Sequence, residues 1–238
     1  MVGLVPARGG SKRVPGKNTK LLAGKPLLFY TLEAALESGV FSRVMVSSDD
    51  DETLRICGSY NVLCLKRPAE FATDESPDIE WVRHALGAYS EQSKPELFSI
   101  LRPTSPFRTA ETIKRAYKQF VESGLWSMRA VERWRGPHPG KMWDYDQRTC
   151  RIRPLLFGWK VNGVPYHSFP SQGLHEVYVQ NASLEMASTR LPLEERVICR
   201  DDQAPFFTEG LEGFDINTPD DWNMAELHLK AKEILASV

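Results

Sequence analysis

A short apolar run, Val2 to Val5, leads into a long polar loop, Pro6 to Lys20, and then into apolar residues at helical spacing from Leu27 onward. A buried strand, a loop and a helix in that order form the first half of a strand–helix–strand unit, and such units build parallel sheets. The pattern recurs. Leu27, Leu28, Thr31, Leu32, Ala35 and Leu36 predict a helix that closes at Gly39, a residue free to take the left-handed C-cap conformation. Arg43 to Ser47 reads as a second strand, and the acidic turn Ser48 to Asp51 caps a helix running through Tyr60. Val62 to Leu65 is a short third strand. Ile79, Val82, Arg83 and Leu86 mark a helix, and the dense apolar run Leu97 to Leu101 is the expected central strand. A helix from about Thr109 to Ser123 leads to a strand at Trp126 to Val131. The fold class is α/β with a mainly parallel sheet.

Alternation stops at Arg135. From there to about Leu174 the chain is rich in proline, glycine and aromatic residues, with a hairpin predicted from Lys141 to Tyr145 and Cys150 to Pro154. This stretch, 135–174, is an insertion within one domain spanning 1–238. His175 to Glu185 returns the chain to the sheet. Near the end, Thr218 as N-cap, Pro219 at the first helical position and acids in the first turn start a last helix.

The loop after the first strand carries the chemistry. It leaves the carboxyl end of a strand, where open α/β sheets bind ligands. Gly9 and Gly10 let backbone approach a ligand, Ser11 offers a hydroxyl, and Arg8, Lys12, Arg13, Lys17 and Lys20 are cations with no acid between them. Bare N–H groups and cations suit a polyphosphate; a solvated basic turn is the plainer alternative. The loop is not a P-loop, because five residues separate Gly10 from Gly16 and Asn18 follows Lys17. Nor does it contain the Gly-x-Gly-x-x-Gly dinucleotide fingerprint.

Composition excludes other classes. Of 238 residues, 42% are hydrophobic and 26% charged, and the net charge of −1 predicts neither a nucleic-acid nor a membrane surface. No apolar run is long enough to span a bilayer. The opening residues read as a strand and not as a signal peptide. Cys57, Cys64, Cys150 and Cys199 form no Cys-x-x-Cys pair, which fits reduced thiols of a cytoplasmic protein, and the histidines lack metal-ligand spacing. Asn181-Ala182-Ser183 matches a glycosylation pattern and, without a secretory signal, is taken as chance.

Residues Ala7 to Asn18 read Ala-Arg-Gly-Gly-Ser-Lys-Arg-Val-Pro-Gly-Lys-Asn. The string resembles the signature loop of the N-acylneuraminate cytidylyltransferases, Ala-Arg-x-x-Ser-Lys-x-x-Pro-x-Lys-Asn. The resemblance implies a three-layer, Rossmann-like nucleotidyltransferase fold in which this loop wraps the triphosphate of CTP. Ala7, Arg8, Gly10, Ser11, Lys12, Lys17 and Asn18 would then be nucleotide-binding residues. Arg67-Pro68 matches the family's Arg-Pro-x-x-Leu-Ala-x-Asp stretch, which grips cytosine. Asp78 stands where the family has Ser or Thr. It can accept from the exocyclic amine of cytosine, or equally from the N–H groups of guanine, or can merely oppose the helix dipole.

Arg102-Pro103-Thr104-Ser105-Pro106-Phe107-Arg108 resembles the family's Gln-Pro-Thr-Ser-Pro-Leu-Arg. Arg102 replaces a sugar-binding Gln and could pair with an acceptor carboxylate. Thr104 and Ser105 join it as substrate-side candidates, with a purely structural turn as their alternative. Asn181 falls on the family's sugar-contacting Asn, while Ser171 stands where many members have an arginine. Phe214 to Trp222 resembles Asp-Ile-Asp-Thr-Pro-Glu-Asp-Trp, whose two aspartates hold Mg²⁺. Asp215 matches the first and Asn217 replaces the second, and Mg²⁺ (or Mn²⁺) is the implied cofactor.

The implied catalytic residues are Arg8, Lys17 and Asp215. The implied reaction joins CTP to an α-keto acid sugar of the sialic, legionaminic or pseudaminic kind, giving a CMP-sugar and pyrophosphate. The insertion would be a lobe for dimerisation or substrate binding, and the enzyme a homodimer. The alternatives are a different acceptor or base, such as GTP, or a catalytically silent nucleotide-binding relative.

Overall fold

The computed structural model describes residues 1–89 and 94–236. Its centre is a seven-stranded sheet. In chain order the strands are β1 Val2–Pro6, β2 Arg43–Ser48, β3 Leu63–Lys66, β4 Leu97–Ile100, β5 Ser127–Arg133, β6 Tyr178–Ser188 and β7 Ala204–Phe207. Across the sheet they run β7-β5-β6-β4-β1-β2-β3, which puts β4 at the centre as expected. β1 pairs in parallel with β2 and β4, β2 with β3, and β5 with β7. β6 is antiparallel to β4, with Glu185 opposite Ile100. It enters after the insertion, with no crossover helix to force a parallel approach.

Alternation of side chains along the strands sets the layers. Val2, Leu4, Met45, Phe98 and Ile100 pack with Trp81, Val82, Ala85 and Leu86 of α3 (Asp78–Gly87). Val5, Val44 and Val46 face the other way. They pack with Leu28, Leu32 and Ala35 of α1 (Leu27–Ser38) and with Ile113, Ala116 and Phe120 of α4 (Ala110–Ser123). Helices therefore cover both faces, the three-layer arrangement that a parallel sheet requires.

Local signals fix the helix ends. Gly39 closes α1 at φ 64°, and Asp50 caps α2 (Asp51–Cys57) by accepting from the Thr53 N–H at 2.8 Å. α2 ends three residues before the predicted Tyr60, because Gly58 and the tight turn after it break the helical ladder. α5 (Pro219–Ala236) starts with a reciprocal cap: Thr218 donates to Asp221 Oδ2 at 2.8 Å, and the Asp221 N–H returns a bond to Thr218 at 3.2 Å.

Residues 132–179 form a second compact unit. It holds an antiparallel hairpin of Trp143–Asp146 and Arg151–Pro154. The first of those strands begins later than predicted, because Pro139 to Lys141 is taken up by a 3-10 turn. Within the unit Tyr166 is buried and hydrogen-bonded to His175, while Trp143, Tyr145, Phe157 and Trp159 are exposed. Among the described residues the cysteines are free, and no helix is long and apolar enough to cross a membrane.

One buried cation organises the carboxyl edge of the sheet. Arg108 is 2% exposed and donates to the carbonyls of Ser183 and Arg102 and to the Thr31 hydroxyl. Burial lowers its pKa to about 9. It ties β6, the turn after β4 and α1 into one frame. A buried acceptor left without a donor costs about 1–3 kcal/mol, so this position is structurally constrained.

Candidate active site

A cavity of about 400 Å³ opens above the carboxyl ends of β1 and β4. Arg8, Ser11, Lys12, Arg13, Lys17 and Asn18 from the loop after β1 line one part of it. Arg67, Asp78, Arg102 and Thr104 line another.

The loop is held from below by its own backbone. The Asn18 amide donates to the Arg8 carbonyl at 2.9 Å, so one side chain staples the two ends of the loop. Asn18 is thus a buried brace as much as a wall of the cavity. Gly16 takes φ 61°, and its carbonyl accepts from the Thr19 and Lys20 N–H groups at 3.0 and 2.9 Å. Gly9 must be glycine for space: a Cβ there would lie 2.8 Å from that of Asp50. Its N–H is engaged by Asp49 at 3.0 Å. Gly10 has open space around its Cα and does not line the cavity.

Lys17 reaches the segment before α5. Its Nζ donates to the Ile216 carbonyl at 2.8 Å. Burial lowers its pKa, Arg13 and Arg8 act in the same direction, and Asp215 and Asp221 oppose them. Arg13 donates to Asn217 Oδ1 at 3.3 Å, and Asn217 Nδ2 donates to Asp215 Oδ2 at 2.5 Å. Asp215 Oδ1 is buried and has no hydrogen-bond partner. An orphaned carboxylate oxygen suits a hard cation that takes its remaining ligands from phosphates and water, while the Asn217 amide oxygen is turned to Arg13 and would have to leave it to join them. Among the described residues no group of three or more acidic, histidine or cysteine side chains gathers around a metal position.

At the other part of the cavity the charges are fixed in a chain. Arg102 Nη2 lies 2.5 Å from Asp78 Oδ2 and 3.0 Å from Glu185 Oε1. Glu185 Oε2 is 2.8 Å from Arg129, and Trp81 Nε1 donates to Asp78 at 2.8 Å. Burial works against the Arg102 charge; Asp78 and Glu185 outweigh it and raise its pKa. Burial likewise works against the Asp78 carboxylate, and Arg102 and the Trp81 hydrogen bond hold its pKa below the usual value. Arg67 is buried, stacks 5.0 Å from the Trp81 ring and donates twice to Ser47 at 3.0 Å, and burial lowers its pKa to about 10.

Several expected site residues are already engaged within the protein, and some lie off the cavity lining. Arg102 is not a free cation awaiting a carboxylate, because Asp78 and Glu185 already neutralise it. Ser105 is 1% exposed and does not line the cavity, and Ala7 is buried in the continuation of β1, its N–H bonded to the Ser47 carbonyl. Asn181 donates to Thr208 at 2.9 Å and accepts from the Ser183 N–H at 3.2 Å, outside the cavity lining. Thr104 lines the cavity, and its carbonyl receives the Ile216 N–H at 2.8 Å.

Sequence reading missed three participants. Glu185 and Arg129 carry no motif and become visible only once β5 and β6 are placed. Asp74 could have been noticed as the acid of the Arg-Pro stretch, yet it faces the loop cations, 2.9 Å from Arg8 and 2.5 Å from Lys12.

The comparisons with known proteins bear on this geometry. The family model described as Cytidylyltransferase matches residues 2–132.

This chain belongs to the cytidylyltransferase family.

It is 30% identical over 233 residues to the CMP-N,N'-diacetyllegionaminic acid synthase of Legionella pneumophila, covering 95% of this chain and 94% of that one. It is 42% identical over 120 residues to the N-acylneuraminate cytidylyltransferase of Escherichia coli O18:K1:H7, covering 50% of this chain and 28% of that longer protein. Among solved structures, CMP:2-keto-3-deoxy-manno-octonic acid synthetase complexed with CTP superposes with a TM-score of 0.71 at 12% identity, covering 97% of this chain and 98% of that one. At that identity the likeness shows the fold, a Rossmann-like nucleotidyltransferase architecture.

The Asp78–Arg102 pair predicts an acid-range signature. A carboxyl whose pKa is lowered by folding stabilises the protein above its unfolded value, about 3.9. That contribution is lost as pH falls through the lower folded value. Denaturant titrations from pH 7 to pH 3 should show Asp78→Asn less stable than wild type at pH 7, with the gap narrowing as the pH drops. A gap that does not change with pH would count against the pair as the source.

Proposed function

We propose that this cytidylyltransferase couples CTP to an α-keto acid sugar of the sialic, legionaminic or pseudaminic kind, releasing pyrophosphate and a CMP-sugar. The observation that carries the reading is the placement of Lys17. It lies between the cations of the glycine loop and the Asp215–Asn217 segment, in the lining of a cavity whose other part is polar and preset. The names of the full-length relative and of the CTP-bound structural neighbour support the same substrates.

An acceptor hydroxyl attacks the α-phosphorus, the bond to the bridging oxygen breaks, and that oxygen leaves on pyrophosphate. Such displacement depends on alignment and charge stabilisation more than on covalent help from the protein. Arg8, Lys12 and Lys17 would meet the charge that grows on the leaving pyrophosphate. Arg67 and Asp78 would face the base, with Asp78 accepting from the exocyclic amine of cytosine through lone pairs that Trp81 and Arg102 leave free. Asp215 and Asn217 would hold Mg²⁺, which supplies neutralisation of phosphate charge when bound. The enzyme would work in the cytoplasm, as its free cysteines suggest. It would work as a homodimer through the exposed aromatics of the 132–179 unit.

Pyrophosphate release with CTP, Mg²⁺ and a panel of α-keto acid sugars tests the reaction. One sugar should support turnover, and Lys17→Ala should lose at least about a hundredfold in rate, the scale of removing one charge-stabilising donor, while keeping its fold by circular dichroism. Near wild-type release from that variant would refute the role of Lys17. Binding of CTP without release for any acceptor would favour a catalytically silent relative, and a thermal shift with GTP alone would overturn the base.

The metal assignment has its own test. Asn217→Asp places two carboxylates together, so the variant should melt lower than wild type without Mg²⁺ and gain more from added Mg²⁺. An identical Mg²⁺ response in both proteins would remove Asn217 from the ligand set. For the assembly, sedimentation at micromolar concentration should give twice the mass of the chain; a monomer there would exclude the dimer.

A further inference from the structure

Asp74 occupies the loop cations from the side. One oxygen lies 2.9 Å from Arg8 Nη2, and the other lies 2.5 Å from Lys12 Nζ. These are two of the cations that a triphosphate would need. The turn carrying Asp74 is held independently of its carboxylate. The Ser76 hydroxyl donates to the Glu70 carbonyl at 2.6 Å, and the Ser76 N–H donates to Thr73 Oγ1 at 3.0 Å. Arg8 uses its other nitrogen, Nη1, on the Thr73 carbonyl at 2.9 Å. Arg8 can therefore keep the turn in place while its Nη2 changes partner.

We propose that Asp74 is a competing carboxylate that holds Arg8 and Lys12 until the polyphosphate displaces it, and that its return helps expel pyrophosphate. This rests on the reading of the cavity as a triphosphate site. The chemistry favours exchange over a permanent bond. Lys12 is 83% exposed and Asp74 44%, and pairs so open to water contribute only about 0–1 kcal/mol. Pyrophosphate and triphosphate carry several charges against one on the carboxylate, and they offer more acceptor oxygens to the same donors. The Lys12 and Arg8 hydrogen bonds keep the Asp74 pKa below its usual value, so the competitor stays ionised at neutral pH. The partly buried Arg102 network is different, because its charges are already satisfied on several sides.

The test is calorimetric binding of inorganic pyrophosphate and tripolyphosphate to the full chain, with no acceptor and no nucleoside. Asp74→Asn should bind both about three- to tenfold more tightly than wild type, the factor that two exposed pairs yield. Asp74→Glu should stay near wild type. In a Lys12→Ala background the gain from Asp74→Asn should shrink, because one of the two cations it liberates is gone. Equal affinity of wild type and Asp74→Asn, or weaker binding by the variant, would overturn the role of Asp74 alone. Failure of every protein to bind either polyphosphate would overturn the phosphate-site reading itself. Because neither probe carries a base or a sugar, a wrong acceptor leaves the result unaffected.

Discussion

The site depends on a small apolar cluster away from the main core. Val14 of the glycine loop, Leu22 and Leu27 pack with Ile216 and with Trp222 and Ala225 of α5. Residues at opposite ends of the chain are thereby held in one place. Polar contacts complete what the cluster begins: Lys17 bonds to Ile216, 199 positions away, and Arg13 to Asn217, 204 positions away. Burying these side chains removes apolar area from water at about 25 cal/mol per Å², and that gain offsets the loop-closure entropy of bringing them together. The cluster fixes the distance between the loop and the Asp215 segment, and the attraction between Lys17 and Asp215 acts within that frame. The carboxylate is therefore carried to the loop by packing, and the Asn217 hydrogen bond and the nearby Lys17 charge orient it there.

The two parts of the cavity manage charge differently. Asp78, Arg102, Glu185 and Arg129 alternate in sign and balance, and their hydrogen bonds are set before any ligand arrives. Breaking one member would strand its neighbour, and an uncompensated buried charge is far more costly than a surface one. At the loop the pairs with Asp74 are open to solvent and exchange at low cost. A preset polar wall suits recognition of a rigid base, since it spends no reorganisation on binding. Exposed cations paired with a single carboxylate suit a polyanion with more acceptor oxygens to offer. The same cavity thus combines a part with set charges and a part with open ones.

Much of this was legible from residues alone. Strand β1, α1 with its Gly39 cap, the central place of β4 and the Thr218 cap of α5 follow from apolar period and terminal chemistry. The loop from Arg8 to Asn18 announced itself by glycines and cations at a strand end. What the sequence hid were facts of register and of distant pairing. Nothing local says that β6 runs antiparallel to β4, because strand direction is set by how the chain returns from the insertion. Nothing local says that Ser105 is buried or that Asn181 bonds to Thr208, because a one-residue step along a strand or turn reverses the direction of a side chain. α2 stops early for a reason that was visible, the glycine at position 58, and the apolar pattern beyond it proved the weaker signal.

Asp78 and Arg102 show why departures from a family pattern are best judged in pairs. Taken singly, an aspartate in place of Ser or Thr suggests a changed base, and an arginine in place of Gln suggests a new hold on the acceptor. In the structure the two side chains face each other at 2.5 Å, so each supplies the reason for the other. The arginine is neutralised before any acceptor arrives, and the aspartate is held ionised by the arginine. A single change back to Ser or Gln at either position would leave its partner half-buried and under-compensated, whereas changing both would remove a charge of each sign together. The pair therefore behaves as one unit of the cavity wall. Neither side chain is left as a free charge, and the unpaired character that each suggests singly is absent from the structure.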